Sequence, residues 1–185
     1  MATLIVSMAV SLDGRIAGPD GSIDWAAPDR ELMGFHNEQT RELTGHLTGR
    51  GLYESMLGWE TAEQTRTDPL ELEFARIWKP LPKVVFSSTL TSVEGNARLA
   101  SRDVADEAAE LKGRPGGGIV SVGGAGLAAA LAGKDLIDEY RLFVNPVVMG
   151  GGTSYFPPLP KHLDLELLEA RTFSQVVYLR YRRSR

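Results

Sequence analysis

The sequence predicts an α/β fold in which a mostly parallel sheet ends in an antiparallel hairpin, and three observations support this prediction. Apolar runs of strand length alternate with helical stretches along most of the chain, as in proteins whose parallel strands are joined by helices. The last two strand-like segments, residues 163–173 and 175–183, lie close enough together to form a hairpin. The chain has 185 residues, 43% of them hydrophobic and none cysteine. A chain of this length can build a core without disulfides, so we expect a single domain over residues 1–185.

The first strand and the first helix are predicted from their apolar patterns. Residues 3–10 form a nearly continuous apolar run, which is typical of a strand buried on both faces. A Gly-rich turn over residues 11–25 separates it from a helix that begins at Pro28. Asp29 and Glu31 fall in the first turn of that helix, where the helix dipole favours acids. Four residues give the helix its predicted apolar stripe: Leu32, Phe35, Leu43 and Leu47.

The rest of the chain continues the alternation. We predict helices over residues 52–57, 69–78, 103–112 and 125–132, and strands over residues 83–88, 119–122 and 140–148. Residues 59–68 are polar and without periodicity, which indicates a loop. In the last strand two sets of side chains alternate, so we expect one face to be solvated: Val177, Leu179 and Tyr181 on one side, and Tyr178, Arg180 and Arg182 on the other.

Composition and charge exclude several classes of function. The formal net charge is −4, and no basic run is long enough to grip a phosphate backbone, so we expect no nucleic-acid partner. No apolar run approaches the roughly 18 residues that span a bilayer, and the N-terminus lacks the basic segment of a signal peptide. We therefore expect a cytoplasmic protein without a membrane partner. The three histidines are scattered, so no metal site is predicted.

The segment from Ile119 to Leu131 is the strongest local signal for ligand binding. A buried strand leads into glycines that begin a helix, which presents backbone N–H groups and the positive end of the helix dipole to an anion. Residues 124–129 satisfy G-x-G-x-x-A, but the motif lies late in the chain and position 144 is Val, so the dinucleotide fingerprint lacks its context. We predict a phosphate-binding turn of another kind. Tight packing of strand against helix, without a ligand, is the alternative.

Two further clusters are predicted to join this turn at one edge of the sheet. Arg50 lies between two glycines and is either a solvated loop residue or a guanidinium available for a bidentate phosphate contact. Ser87, Ser88 and Thr89 are small donors at the end of a strand. Ligands of open α/β sheets bind at the carboxyl ends of the strands, so we expect these groups to form one anion-binding rim.

The acid–base candidates lie in the N-terminal quarter of the chain: Asp13, Asp24, Asp29 and Glu31. Glu31 is either catalytic or simply an acid that stabilises the helix dipole. Trp25, beside Asp24, either closes a substrate site or covers the core.

Taken in order, these segments resemble the dihydrofolate reductase superfamily, above all the C-terminal reductase domain of the bacterial riboflavin-biosynthesis deaminase/reductase. The resemblance rests on SLDGRIAG after the first strand, GRGLYES from Gly49, FSS from Phe86, VGG from Val122, and NPVVMGGG followed by Tyr155-Phe156. It covers essentially the whole chain. It implies a three-layer αβα sandwich, a homodimer, and NADPH as cofactor.

The resemblance also implies roles for individual residues. Arg50 would meet the 2′-phosphate of NADPH, and Asp13 or Glu31 would serve as acid or substrate hook. Trp25 and Phe35 would lie on the substrate side, with Glu31 at the position of the pterin-binding acid. The implied cofactor-binding residues are Ala9, Ile16, Gly49, Arg50, Gly51, Ser87, Ser88, Gly123, Gly124, Ala125, Gly126 and Leu127.

Two departures from the family pattern bear on the substrate. Only Lys79 and Lys83 stand where true dihydrofolate reductases carry an Arg for the folate glutamate. Gly-Leu-Tyr-Glu and Asp68-Pro69 match the riboflavin branch poorly. We expect an NADPH-dependent reductase of the riboflavin precursor 5-amino-6-(5-phosphoribosylamino)uracil. The alternatives are a dihydrofolate or pterin reductase, and a non-catalytic NADPH-binding regulatory protein.

Overall fold

The computed structural model describes residues 1–113, 115–156, 158–159 and 162–184. Its strands are β1 (Thr3–Ser11), β2 (Arg15–Ala17), β3 (Leu43–Gly49), β4 (Lys83–Phe86), β5 (Ala97–Leu99), β6 (Ile119–Gly123), β7 (Glu139–Asn145), β8 (Thr153–Ser154), β9 (Leu165–Phe173) and β10 (Val176–Arg183). Its α-helices are α1 (Arg30–Arg41), α2 (Arg50–Met56), α3 (Ala62–Thr65), α4 (Pro69–Trp78), α5 (Val104–Gly113) and α6 (Ala125–Ala132). No helix among these residues is both long and apolar enough to cross a membrane.

Eight of the strands form one sheet in the order β5-β4-β3-β6-β1-β7-β10-β9. The first six strands in this order, from β5 through β4, β3, β6 and β1 to β7, run parallel to one another. Strand β10 pairs antiparallel with both β7 and β9. Strands β2 and β8 form a separate two-stranded sheet. The prediction of a mostly parallel sheet with an antiparallel C-terminal hairpin is confirmed.

Helices cover both faces of the sheet and make three layers. On one face, Leu4 and Val122 of the strands pack with Ala108 of α5 and Leu131 of α6. On the other face α1 packs Phe35 against a cluster of aromatic side chains from β7, β9 and β10. The predicted three-layer αβα sandwich is therefore present, and burial of both sheet faces explains why β1 is an apolar run.

The predicted first helix is too long, and a central strand lies where its second half was expected. Helix α1 begins after Asp29, whose side chain accepts a hydrogen bond from the Leu32 N–H (2.9 Å), and it ends at Arg41. Leu43 and Leu47 belong instead to β3, which pairs with β4 and β6. Their four-residue spacing matches a helix, but the hydrogen bonds of the two neighbouring strands determine the structure here.

The two faces of β10 differ in burial near the start of the strand. Tyr178 is fully buried between Phe35 and Phe143, whereas Val177 is 37% exposed. Helix α1 and the side chains of β7 and β9 cover the face that carries Tyr178. Tyr178 is thus part of the core.

Candidate active site

The three predicted phosphate-binding clusters lie together because the strands that precede them are neighbours. Strands β4, β3 and β6 are adjacent and parallel, with Gly49 beside Phe86 and Thr48 beside Gly123. The segments that follow these strands therefore leave the sheet at the same edge. Arg50, Ser87 and the start of α6 form what we call the rim.

Arg50 is held in place within the rim by two side chains. Its Nε donates to Glu54 Oε1 (2.8 Å), and its Nη1 donates to Thr89 Oγ1 (2.7 Å). Ser87 Oγ accepts hydrogen bonds from the N–H groups of Thr89 (3.2 Å) and Leu90 (3.0 Å), which fixes the turn that carries Thr89. The guanidinium is half exposed, so it can meet an anion while its position is maintained.

Gly124 brings the start of α6 close to the loop after β3. It precedes the helix with φ +100°, a left-handed conformation that side chains other than glycine rarely adopt. A Cβ atom there would lie 3.6 Å from the Gly49 N. The space around Gly51 and Gly126 is open. Ala125, Gly126 and Leu127 begin a helix of eight residues, whose first N–H groups have no partner within the helix.

Gly123 lies in close packing, so a side chain there would require neighbouring side chains to move, and its φ is not positive. A Cβ atom at Gly123 would lie 2.2 Å from Leu52 Cδ2 and 3.0 Å from the His46 ring. The Gly-Gly pair therefore combines two needs: close approach of side chains at Gly123 and a left-handed turn at Gly124.

Asp13 is bound by the backbone of another loop. Its carboxylate accepts hydrogen bonds from Ser11 Oγ (2.6 Å) and from the N–H groups of Met149 (3.0 Å) and Gly150 (2.9 Å). These bonds, first that from Ser11, lower the pKa of Asp13 to about 2. A carboxyl group with this pKa carries no proton to donate near neutral pH, so the geometry favours a positioning role over the predicted acid role.

The contacts of Asp13 predict a pH-dependent loss of stability in Asp13→Asn. A carboxylate with a lowered pKa stabilises the fold above the unfolded-state value of 3.8, and this contribution is lost as the pH falls through about 2. Asp13→Asn is expected to be less stable than wild type at neutral pH, with a difference that closes in acid. Urea unfolding at several pH values measures this. Asp24→Asn is the control, and an equal loss in both variants would contradict the assignment.

The remaining predicted site residues lie outside the rim, on β1, β2, α1 and the segment between β2 and α1. Ala9 is on β1 and lines a cavity beneath α1, and Ile16 is on β2, where it packs against the main core. Trp25 is half-buried, and its Nε1 donates to the Ser22 carbonyl (3.2 Å). Glu31 is exposed in the first turn of α1.

Phe35 is placed in the core. It is 6% exposed, and Phe143, Phe173 and Tyr178 surround its ring. The Arg171 guanidinium lies 4.7 Å from the ring centre. These contacts favour a packing role over the predicted substrate contact.

The cavity beneath α1 contains polar residues that the sequence analysis missed. It measures about 180 Å³ and is lined by Ser7 of β1, His46 of β3, Ser121 of β6 and Arg141 of β7, with α1 above. The available signal was an arginine within a strand that is otherwise mostly apolar between Tyr140 and Val144. No group of three or more metal-ligating residues occurs in the described part of the chain.

Comparison with known proteins identifies the family. The RibD C-terminal domain matches residues 2–179. The chain belongs to the RibD C-terminal domain family. YyaP of Bacillus subtilis (strain 168), an uncharacterized protein, is 32% identical over 180 residues, covering 95% of this chain and 93% of that protein.

Solved structures support the same assignment. A putative riboflavin biosynthesis protein from Shewanella sp. PV-4 is 26% identical, with a TM-score of 0.77 and full coverage of both chains. Dihydrofolate reductase from Enterococcus faecalis, complexed with NADP(H), is 15% identical, with a TM-score of 0.64 over 99% of this chain and 97% of that one. The fold is dihydrofolate-reductase-like, and membership of the RibD C-terminal domain family indicates a reductase.

Proposed function

We propose that the protein is an NADPH-dependent reductase whose acceptor is 5-amino-6-(5-phosphoribosylamino)uracil or a close analogue. The observation that carries the proposal is the rim, where Arg50 is held by Glu54 and Thr89 beside the start of α6. The family and the similarity to a putative riboflavin biosynthesis protein support the choice of acceptor.

The residues of the rim fit a dinucleotide phosphate. Arg50 would hold the 2′-phosphate, with Ser87 and Ser88 beside it, and the first N–H groups of α6 would hold the pyrophosphate. The open space at Gly51 and Gly126 leaves room for the ligand. NADPH supplies the hydride, and the protein binds and orients the two reactants. Ala9 and Ile16 would lie on the nicotinamide side, with Trp25 near the acceptor.

The two lysines near β4 bear on whether folate could be the acceptor. Lys83 is buried, and its Nζ donates to the carbonyl groups of Trp78 (2.9 Å) and Leu81 (3.0 Å). Lys79 Nζ pairs with Glu63 (2.5 Å). Lys83 is therefore withdrawn from any ligand, and Lys79, in an exposed ion pair, is the one cation of the two left near the position of the family's glutamate-binding Arg.

NADPH absorbance at 340 nm tests the proposed activity. Oxidation with 5-amino-6-(5-phosphoribosylamino)uracil, and not with dihydrofolate, is the expected result. Oxidation with dihydrofolate alone would replace the proposed acceptor by a pterin. NADPH binding without oxidation by either acceptor would favour a regulatory protein.

Glu31→Gln tests whether this exposed acid orients the acceptor. A carboxylate can accept two N–H donors of a pyrimidine or pterin ring, and an amide cannot. We expect kcat/KM to fall by at least ~10-fold while NADPH affinity is unchanged, since charged hydrogen bonds contribute about 1.5–3 kcal/mol. Glu38→Gln, an exposed acid on the same helix, is the matched control. Unchanged turnover in Glu31→Gln would leave Glu31 as an acid that only stabilises the helix dipole.

We retain as part of the proposal the homodimer that the resemblance implies, and the single cytoplasmic domain expected from length and composition. The edge strand β9 and its neighbour expose Leu167, Leu168 and Val177, an apolar surface at the end of the sheet.

A further inference from the structure

A buried ionic cluster lies beneath α1, apart from the rim. Arg141 is 1% exposed, and its Nη2 donates to Glu139 Oε2 (3.2 Å) while its Nη1 donates to Gln39 Oε1. Arg180 donates to the same Glu139 carboxylate through Nε (2.8 Å) and Nη2 (2.9 Å). Two guanidinium groups therefore share one buried carboxylate.

This cluster has one positive charge that no buried acid balances. Glu42 approaches Arg141 Nη1 at 3.9 Å, but its side chain is half exposed, so solvent screens that interaction. Arg141 Nε has no hydrogen-bond partner among the described residues. A buried guanidinium with an unmet donor is costly, and an anion beside it would lower that cost.

The cavity of about 180 Å³ adjoins Arg141. Ser7 is the register partner of Arg141 on β1, and Ser121 supplies a second hydroxyl from β6. Burial lowers the pKa of His36 and of His46 to about 4, so both rings are neutral near pH 7. Arg141 is thus the sole formal charge among the described residues that line the cavity.

A second unmet polar atom lies on the cavity wall. His46 Nδ1 is buried without a partner among the described side chains. Polar cavities of this kind hold water or a polar ligand, and a volume near ~150 Å³ is enough for a benzene-sized molecule. The cavity also extends along β1 to Ala9, which the proposed function places on the nicotinamide side.

We propose that this cavity binds an oxyanion group of the hydride acceptor, a carboxylate or a phosphate, with Arg141 as its anchor. Ser7 and Ser121 donate their hydroxyl protons to the same group. The substrate class is thereby narrowed to acceptors that carry a small anionic substituent. This inference rests on the proposed function, because the anion is assigned to the acceptor of that reaction.

Histidine NMR on the full chain without NADPH tests the site. Sodium phosphate and sodium acetate are titrated separately at constant ionic strength, and the ring signals of His36 and His46 are followed. The exposed His162 is the internal reference. Saturable shifts of His36 and His46 with either anion, larger than those of His162, are expected, and the more effective anion identifies the oxyanion class.

Three variants locate the response. Ser7→Val fills the cavity without touching the ionic cluster, and Arg141→Met removes the anchor. Each is expected to weaken anion binding by about ten-fold or more, the effect of losing a charged hydrogen bond. Arg182→Met removes an exposed arginine that belongs to neither the cluster nor the cavity lining, and it should keep the wild-type affinity.

Two results would overturn the proposal. One is no saturable shift with either anion, which would mean that the cavity holds only water. The other is an unchanged response in Ser7→Val, a substitution that leaves Arg141 and its partners intact. NADPH binding is measured separately by fluorescence, so a failure of the rim does not alter the anion titration, and a failure of the cavity leaves cofactor binding in place.

Discussion

Replacing Arg50 with alanine is expected to weaken NADPH binding about 10- to 100-fold and to leave NADH binding nearly unchanged. NADH lacks the 2′-phosphate, and a charged hydrogen bond to that group contributes about 1.5–3 kcal/mol, which corresponds to this range at ~1.4 kcal/mol per tenfold. The formal net charge of −4 repels the cofactor, so a local cation has more effect. Fluorescence titration of both cofactors against wild type and variant measures the change.

Arg182→Ala is the matched control for Arg50→Ala. Arg182 is also an exposed arginine, and its side chain forms an ion pair with Glu166. It lies on β10 opposite Glu139, the first residue of β7, and therefore at the end of the sheet away from the rim. Arg182→Ala removes the same charge as Arg50→Ala. It should leave the affinities for NADPH and NADH within about two-fold of the wild-type values, since exposed ion pairs contribute little. Equal losses of NADPH and NADH in Arg50→Ala would mean that Arg50 holds the loop through Thr89 and not the phosphate.

Gly152→Ala is expected to destabilise the protein by about 2–5 kcal/mol. Gly152 has φ +98°, and a Cβ atom there would lie 2.1 Å from the Ala17 carbonyl oxygen and 2.7 Å from the Gly18 carbonyl carbon. Both are backbone atoms that no rotamer change can move. The left-handed conformation costs roughly 1–2 kcal/mol and overpacking about 1–3 kcal/mol. For a chain of this size, at about 2–4 °C per kcal/mol, we expect the Tm to fall by about 4–20 °C.

Gly150→Ala, in the same turn, separates the cost of the backbone conformation from the cost of overpacking. Gly150 also has a positive φ, +71°, but no atom lies within 4 Å of its added Cβ. Its loss should be limited to about 1–2 kcal/mol from the backbone conformation. Thermal unfolding followed by circular dichroism compares the two variants. Equal Tm values for Gly152→Ala and Gly150→Ala would mean that the backbone of Ala17 and Gly18 moves to admit the added Cβ atom, which would contradict the expectation of a rigid contact.

The elements that the sequence predicts well are those in which pattern and environment agree. Helices α4 and α6 have their predicted bounds, because a capping Asp68 with Pro69 begins one and a Gly-Gly turn begins the other. Strand β1 differs from its prediction by one residue, since burial on both faces produces an apolar run.

Strand β3 is not predicted from the sequence, because its residue pattern is not that of a strand inside a sheet. The sequence LTGHLTG has two glycines and three polar residues, yet it lies between β4 and β6. His46 and Thr48 are buried there, and glycine and polar residues are poor strand formers in isolation. Tertiary hydrogen bonding decides the structure at this segment. The short strands β2, β5 and β8 carry too few residues for a periodic signal.

The rim was predictable because its parts follow strands, and parallel strands bring their carboxyl ends together. The cavity was not. Arg141 pairs with Glu139 on its own strand, but its burial also depends on Gln39 of α1, and nothing local to β7 indicates that distant partner. The role of Asp13 could not be predicted either, since the N–H groups that bind it belong to residues 149 and 150, far away in the sequence.

The central position of β1 determines when the protein can fold. Thr3 pairs with Ile119 and Ile5 with Glu139, so the first strand to be synthesised finds its partners more than a hundred residues later. Pairing over such separations requires long loops to close, at a cost in chain entropy, before the stabilising contacts form. This slows folding relative to helical proteins of equal length. A nascent chain therefore exposes the apolar residues 3–10 until residue 145 has left the ribosome. Refolding should be slow and sensitive to protein concentration, with chaperones bound mainly to this N-terminal segment.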